Sequence, residues 1–268
     1  MKRTLVIKYD ECLLKSLKDQ HIIVFIDSLE QLEYKYSEAK RDNHVVLMCA
    51  NLPYTSLSQI EFSNNWDKIP LHIYSYNIGN YDLFFSKINT IRSLDVRLFV
   101  SNETESACTD LKIMASLGID CGLQMKPGVI MDDDSFLDLA SYYYMSPVPH
   151  ATMEPFNYIL RHLTEEASNG FNSVYFDNPV YFAHIASVED YEKQEEEENN
   201  FFKFRLKDYY QHFLDLDECA KCPAFKICDR NMSDKLKDCK TTMNEIYEYA
   251  EMQENLNNRN TPKLICQL

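Results

Sequence analysis

The sequence predicts an α/β fold: a partial, open (βα)6-type barrel with parallel strands, followed by a small β-hairpin and a helical segment that carries a cysteine cluster. Three observations predict it. Short apolar, β-branched-rich runs start about every 23 residues, near the length of one βα unit. Runs such as "HIIVFI" and "VRLFV" are apolar at consecutive positions, as strands buried on both faces of a parallel sheet must be. Stretches with helical periodicity alternate with them. About six such units fit, fewer than the eight of a closed barrel, so the barrel is expected to stay open.

The strands are expected over residues 4–9, 21–26, 44–50, 71–77, 96–101 and 119–125. A helix over 28–40 has Ser28 as its N-cap and Leu29, Leu32 and Tyr36 on one face. A second, over 81–94, spaces Phe84, Ile88 and Ile91 by four and three. A third, over 109–117, ends at Gly118, a suitable C′ residue. A fourth, over 135–144, follows the acidic turn "MDDDS", where Asp132, Asp133 and Asp134 suit a helix N-terminus.

The pattern changes at the proline-punctuated crossover "MSPVPHATMEP" (145–155), which sets the expected organisation: 1–150 barrel, 151–268 cysteine-bearing segment. A helix over 155–163 places Phe156, Ile159, Leu160 and Leu163 on one side. "NSVYFDNPVYFAHIAS" reads as two strands about the turn Asp177-Asn178-Pro179. "EDYEKQEEEENN" (189–200) reads as a solvated, charged loop. "FFKFRLKDYYQHFLDLDECAKC" carries an apolar stripe into the cysteines, and Thr242 with Glu245 suits a capping box for a terminal helix over 243–256.

Composition narrows the function. The net charge of −15 disfavours nucleic acid and anionic membrane as partners, because both recruit Lys and Arg. A basic peptide or protein surface is attracted by the same field; solubility is its plainer use. No apolar run reaches the ~18 residues of a transmembrane helix. The "MKRTLVIKYDECLLK" start lacks the features of a secretory signal, so a cytoplasmic location is expected. There are only five glycines, and neither G-x-G-x-x-G nor G-x-x-x-x-G-K-[ST] occurs, which disfavours a nucleotide-dependent enzyme. The seven histidines form no H-x-x-x-H or H-E-x-x-H set, and no G-x-S-x-G elbow occurs. Catalytic residues are not assigned by the sequence.

Nine cysteines in a reducing compartment are not expected to form disulfides. Cys12, Cys49, Cys108, Cys121 and Cys266 are scattered and read as small hydrophobes. Cys219, Cys222, Cys228 and Cys239 are clustered. C-x2-C spacing lets one tight turn bring two thiolates to a single point. Four thiolates suffice for a tetrahedral zinc or a [4Fe–4S] cluster, and spacing alone does not separate them.

The run "CAKCPAFKIC" (Cys219 to Cys228) resembles the C-x2-C-x5-C run of SPASM and the shorter twitch domains. Those domains follow the partial barrel of radical SAM peptide-modifying enzymes and carry auxiliary iron–sulfur clusters. "SVYFDNPVYF" and "FRLKDYYQHFLDLDEC" are similar to the segment that precedes the run, and the resemblance spans roughly residues 70–239. Where a full SPASM domain has a further cysteine, this chain has Met232, and no cysteine lies between Cys121 and Cys219. The resemblance therefore implies one remaining outer-cluster set: Cys219, Cys222, Cys228 and Cys239. The C-x3-C-x2-C loop of the catalytic cluster and the glycine-rich SAM loop are missing.

Such a protein is expected to be a degenerate, pseudo radical SAM member that does not use SAM. It would serve a peptide (RiPP-type) maturation system by binding a peptide or a partner maturase, and would hold one auxiliary [4Fe–4S] cluster. Two other readings stay open: an iron–sulfur enzyme or electron carrier, and a zinc-stabilised binding module.

Overall fold

Strands that are apolar at consecutive positions need cover on both faces, and the fold supplies it. The computed structural model describes residues 4–17, 20–28, 31–42, 44–51, 60–126, 128–164, 183–185, 187, 219, 221–224, 232 and 235–260. Along the chain run β1 (Thr4–Lys8), α1 (Glu11–Ser16), β2 (His21–Ile26), α2 (Leu32–Ala39), β3 (Val45–Asn51) and β4 (Leu71–Tyr76). Then come α3 (Tyr81–Arg92), β5 (Val96–Ser101), α4 (Ala107–Ser116), β6 (Cys121–Gln124) and α5 (Asp133–Met145). β7 (Met153–Glu154), α6 (Phe156–Thr164), β8 (Ala183–Ile185) and α7 (Cys239–Asn260) complete the described elements.

The strands form one sheet in the order β7-β6-β5-β4-β3-β2-β1-β8, and every pairing is parallel. Among the described residues β7 and β8 are its edges, so the described sheet is open. From β1 to β7 the order runs one way, so right-handed crossovers carry the helices between them to the same face. The register shows two chemically distinct faces. Leu5, Ile7, Ile22, Val24, Met48, Ala50, Leu71, Ile73, Leu98, Val100, Cys121, Leu123 and Met153 make one, almost wholly aliphatic and buried. The second carries aromatic and polar groups: Phe25 pairs with Cys49, Cys49 with His72, and His72 with Arg97. Phe99 pairs with Gly122, and Gly122 with Glu154, on the same side. Tyr74 stacks on Phe99 with centroids 4.6 Å apart, and His72 lies 5.3 Å from Phe99.

Local signals set the helix ends. Asp10 caps α1 by accepting from Leu13 N at 2.8 Å, and Asn80 caps α3 by accepting from Leu83 N at 3.0 Å. Gly118 takes φ 75°, and the bonds Gly118 N to Ala115 O and Ile119 N to Met114 O close a Schellman motif after α4. The irregular 60–70 stretch is tied to α2. Tyr36 Oη donates to Ile69 O and accepts from Ile69 N, and Trp66 Nε1 donates to Glu33 at 2.7 Å.

Several expectations are revised. Residues 11–16 form α1, which periodicity does not mark because six residues are under two turns. α2 starts at Leu32 behind Gln31, which makes no side-chain cap, so Ser28 is not its cap. The crossover over 145–155 contains a seventh strand, β7, which pairs with β6. Residues 183–185, expected in the second hairpin strand, join the sheet in parallel beside β1. The rest of that hairpin and the 189–200 loop lie outside the described residues. The terminal helix begins at Cys239, four residues before the expected start. Asp238 caps it by accepting from Thr241 N at 3.2 Å, and Thr242 is buried.

Gly122 lets β6 approach β5 on the second face. A Cβ there would sit 2.5 Å from Phe99 Cε1 and 3.2 Å from Glu154 Cβ. Gly122→Ala should therefore cost about 1–3 kcal/mol of stability, read as a lower urea midpoint. Phe99→Leu in that background should recover part of the loss relative to the sum of the two single changes.

Candidate metal centre

Two of the four clustered cysteines lie in one turn: Cys222 N donates to Cys219 O at 3.1 Å. Burial pushes the Cys222 thiol above its ordinary value, the Ala224 backbone lowers it, and the nearby Cys219 thiol raises it again. Cys219 and Cys222 are thus close enough to interact. Ala224 is fully buried, so the turn is rooted in the core. Cys239 is the first residue of α7, half-buried against the core. Lys240 lies near enough to Cys222 to favour its thiolate, which relates the turn to the head of α7. A helix N-terminus also favours a thiolate.

The segment that carries Cys239 is fastened to the connection between β6 and α5. Met131 N donates to Lys235 O at 2.8 Å, and Met131 and Leu236 form a parallel bridge. Asp133 Oδ1 accepts from Lys237 N at 3.0 Å, and its Oδ2 accepts from Asp238 N at 2.8 Å. Asp132 acts differently. It caps α5 by accepting from Ser135 N and Oγ, both at 3.1 Å, and these bonds hold its carboxyl below the usual range. So "MDDDS" is a helix start, as its composition suggests, but Asp133 also holds the cysteine segment, and Asp132 Oδ1 lies 3.8 Å from Lys237 Nζ of the same segment. α7 buries Met243, Ile246, Tyr247 and Ala250 and packs on α5 and α6. Met232, where the resemblance expects a cysteine in a full SPASM domain, is 1% exposed and part of the core.

Cys228 lies outside the described residues. Among the described residues, no three Cys, His, Asp or Glu side chains gather in a metal-binding arrangement. The structure brings Cys219 and Cys222 together and sets Cys239 at a helix start. The thiol donors suit a thiophilic metal or cluster, and Cys228 completes the proposed set from sequence alone. Of the other cysteines, Cys49 and Cys121 are buried, and burial raises both thiols. Cys12 is exposed, so it is not the buried small hydrophobe its context suggests.

The second face of the sheet holds polar groups that the sequence does not mark. Arg97 Nη1 donates to Glu154 Oε1 at 2.9 Å, with side-chain exposures of 24% and 4%. Glu154 also accepts from Asn157 Nδ2 at 3.0 Å and Tyr158 N at 3.1 Å, so its charge is well satisfied. Burial, helped by the Arg97 guanidinium, lowers the His72 imidazole to about 3. These residues sit on different strands, and a signal for them would need the register of β4, β5 and β7.

A scan against protein-family models finds no match, and comparisons with curated proteins and with solved structures find none either. No described helix is long and apolar enough to cross a membrane.

Asp133→Ala removes both acceptors that hold Lys237 and Asp238. Their amides should exchange with solvent at least about tenfold faster, as expected for losing roughly 1.4 kcal/mol of local stability. Exchange of the β2 and β5 amides should be little changed.

Proposed function

We propose that this chain is an accessory protein of a peptide maturation system, built on a partial open (βα)6-type barrel. It binds a peptide or a partner maturase and holds one [4Fe–4S] cluster through Cys219, Cys222, Cys228 and Cys239. The observation that carries this reading is the Cys219–Cys222 turn, rooted in the core beside a helix that starts at Cys239. The resemblance of "CAKCPAFKIC" to SPASM and twitch runs supports iron–sulfur, and the missing C-x3-C-x2-C loop argues against SAM cleavage.

A bound cluster would supply a cross-link among three sequence-distant points and, in principle, one electron at a time. The chain's own residues favour the cross-link. Cys222 and Cys239 are half-buried on the core, and Asp133 clamps the intervening segment to the start of α5. That same anchoring favours zinc as the second reading, since a structural zinc site needs only a closed thiolate set. The acidic net charge fits a basic peptide or protein partner in the cytoplasm, not nucleic acid or a membrane surface.

Protein purified without oxygen should be brown and contain about four irons and four sulfides per chain. Cys222→Ser should bleach it and lower its thermal midpoint. Colourless protein with one zinc would contradict the iron–sulfur assignment and favour the zinc module.

A further inference from the structure

The C-terminal ends of parallel strands are where open α/β sheets receive ligands. At that edge, on the second face, three neutral polar side chains from three strands converge. Asn51 ends β3, Gln124 ends β6, and Ser75 lies one residue from the end of β4. Ser75 takes φ 55°, unusual for a residue other than glycine, where the register of β4 against β5 shifts. The irregularity aims the Ser75 backbone N–H at Gln124 Oε1, 2.8 Å away, across β5. Ser75 Oγ lies 3.1 Å from the same oxygen and 3.3 Å from Asn51 Oδ1.

This geometry settles which Gln124 atoms are free. A backbone N–H only donates, so the Gln124 atom facing it is the oxygen. Gln124 is 4% exposed, yet the two N–H bonds of its Nε2 meet no acceptor among the described residues. The Asn51 side chain is exposed, and its Nδ2 likewise meets none. The cluster has spent acceptors on Ser75 and keeps donors for something else. Neither nitrogen is among the fully buried unpartnered atoms, so both stand open at the edge and offer their donors to a ligand that brings acceptors.

The surroundings narrow the ligand. Lys8 pairs with Asp27 at 2.6 Å and Lys126 with Glu103 at 3.1 Å, so the described cations at neighbouring strand ends are neutralised. That disfavours phosphate or carboxylate. Sugar hydroxyls need acceptors as well as donors, and a sugar ring needs an open aromatic face. Here Tyr74 is 3% exposed and already stacked on Phe99. A peptide group suits the site: its carbonyl takes the Gln124 and Asn51 donors, and its N–H meets the remaining lone pair of Asn51 Oδ1.

We propose that Asn51, Ser75 and Gln124 form a binding site for the backbone of a peptide, with Gln124 and Asn51 as the contact residues and Ser75 as the positioning residue. This deepens the peptide-binding reading above and rests on it for the source of the ligand. The site itself uses none of the cysteines.

The test titrates the whole chain with acetyl-trialanine methylamide while following the side-chain NH2 signals of Gln124 and Asn51 by NMR. Both should shift saturably, and maltose and inorganic phosphate should leave them in place. Gln124→Glu keeps the acceptor for Ser75 and removes the donors; Asn51→Ala removes donors at an exposed position. Each should weaken peptide binding at least about tenfold, the effect of one lost good hydrogen bond. If Gln124→Glu fails to fold, Asn51→Ala carries the test alone. Unmoved signals, a response to maltose or phosphate, or undiminished binding by Asn51→Ala would each overturn the site. Colourless, iron-free protein that still shows the peptide shift would overturn the accessory function and leave this site standing. Brown protein that captures a precursor peptide with both variants intact would do the reverse.

Discussion

The strand order, which runs one way from β1 to β7, is the constraint on which the rest of the molecule depends. With right-handed crossovers it sends the helices to one face of the sheet, so the strands divide their side chains by alternation alone. The helix-facing half needs only aliphatic bulk, and its residues are nearly all Leu, Ile, Val, Met or Ala. The other half is free to carry Phe25, His72, Tyr74, Arg97, Phe99, Gln124 and Glu154. Gly122 belongs to this second set: without a side chain it leaves room for the Phe99 ring and the Glu154 side chain from the strands on either side. Polarity on that face is tolerated because each strong charge is met, most clearly Glu154 with its three donors.

The connection between β6 and α5 ties this sheet to the cysteine segment. One stretch of four residues, Met131 to Asp134, caps α5 through Asp132, bridges Leu236 through Met131, and holds Lys237 and Asp238 through Asp133. Cys239 therefore inherits its position from the end of a sheet strand. A cross-link among Cys219, Cys222 and Cys239 would act on a segment that the carboxylate of Asp133 already orients, which is why a structural role is the economical one.

Much of the fold was legible in the sequence because it follows from local chemistry. Six strands announce themselves as continuous apolar runs, and Gly118 marks the end of α4 through its need for positive φ. What escaped has physical reasons. α1 is too short to show a period, and β7 is two residues held mainly by β6. Thr242 and Glu245 look like a capping box, but Asp238 lies a turn earlier and its carboxylate is the better acceptor; Glu245 instead accepts from Tyr249 Oη. The four cysteines were legible as a set, whereas their anchoring by Asp133 spans more than a hundred residues of sequence. The Ser75–Gln124 contact was not legible at all, since it needs both the register and an irregular strand end.

The two-faced sheet, whose second face partly shields polar groups at the level of β4 and β5, is tested most directly at His72. A charged imidazole there would face the Arg97 guanidinium in a half-buried setting, so burial and that charge hold it neutral down to about pH 3. In the unfolded chain it titrates near 6.5, so the unfolded state binds the extra proton and stability falls as pH drops below about 6.5. The measurement is an NMR titration of the His72 ring in the intact protein. A neutral ring throughout the range from pH 7 to 4, in protein that remains folded, is the predicted result. Titration near 6.5 in the folded protein would contradict the shielding of that face and the two-faced sheet with it.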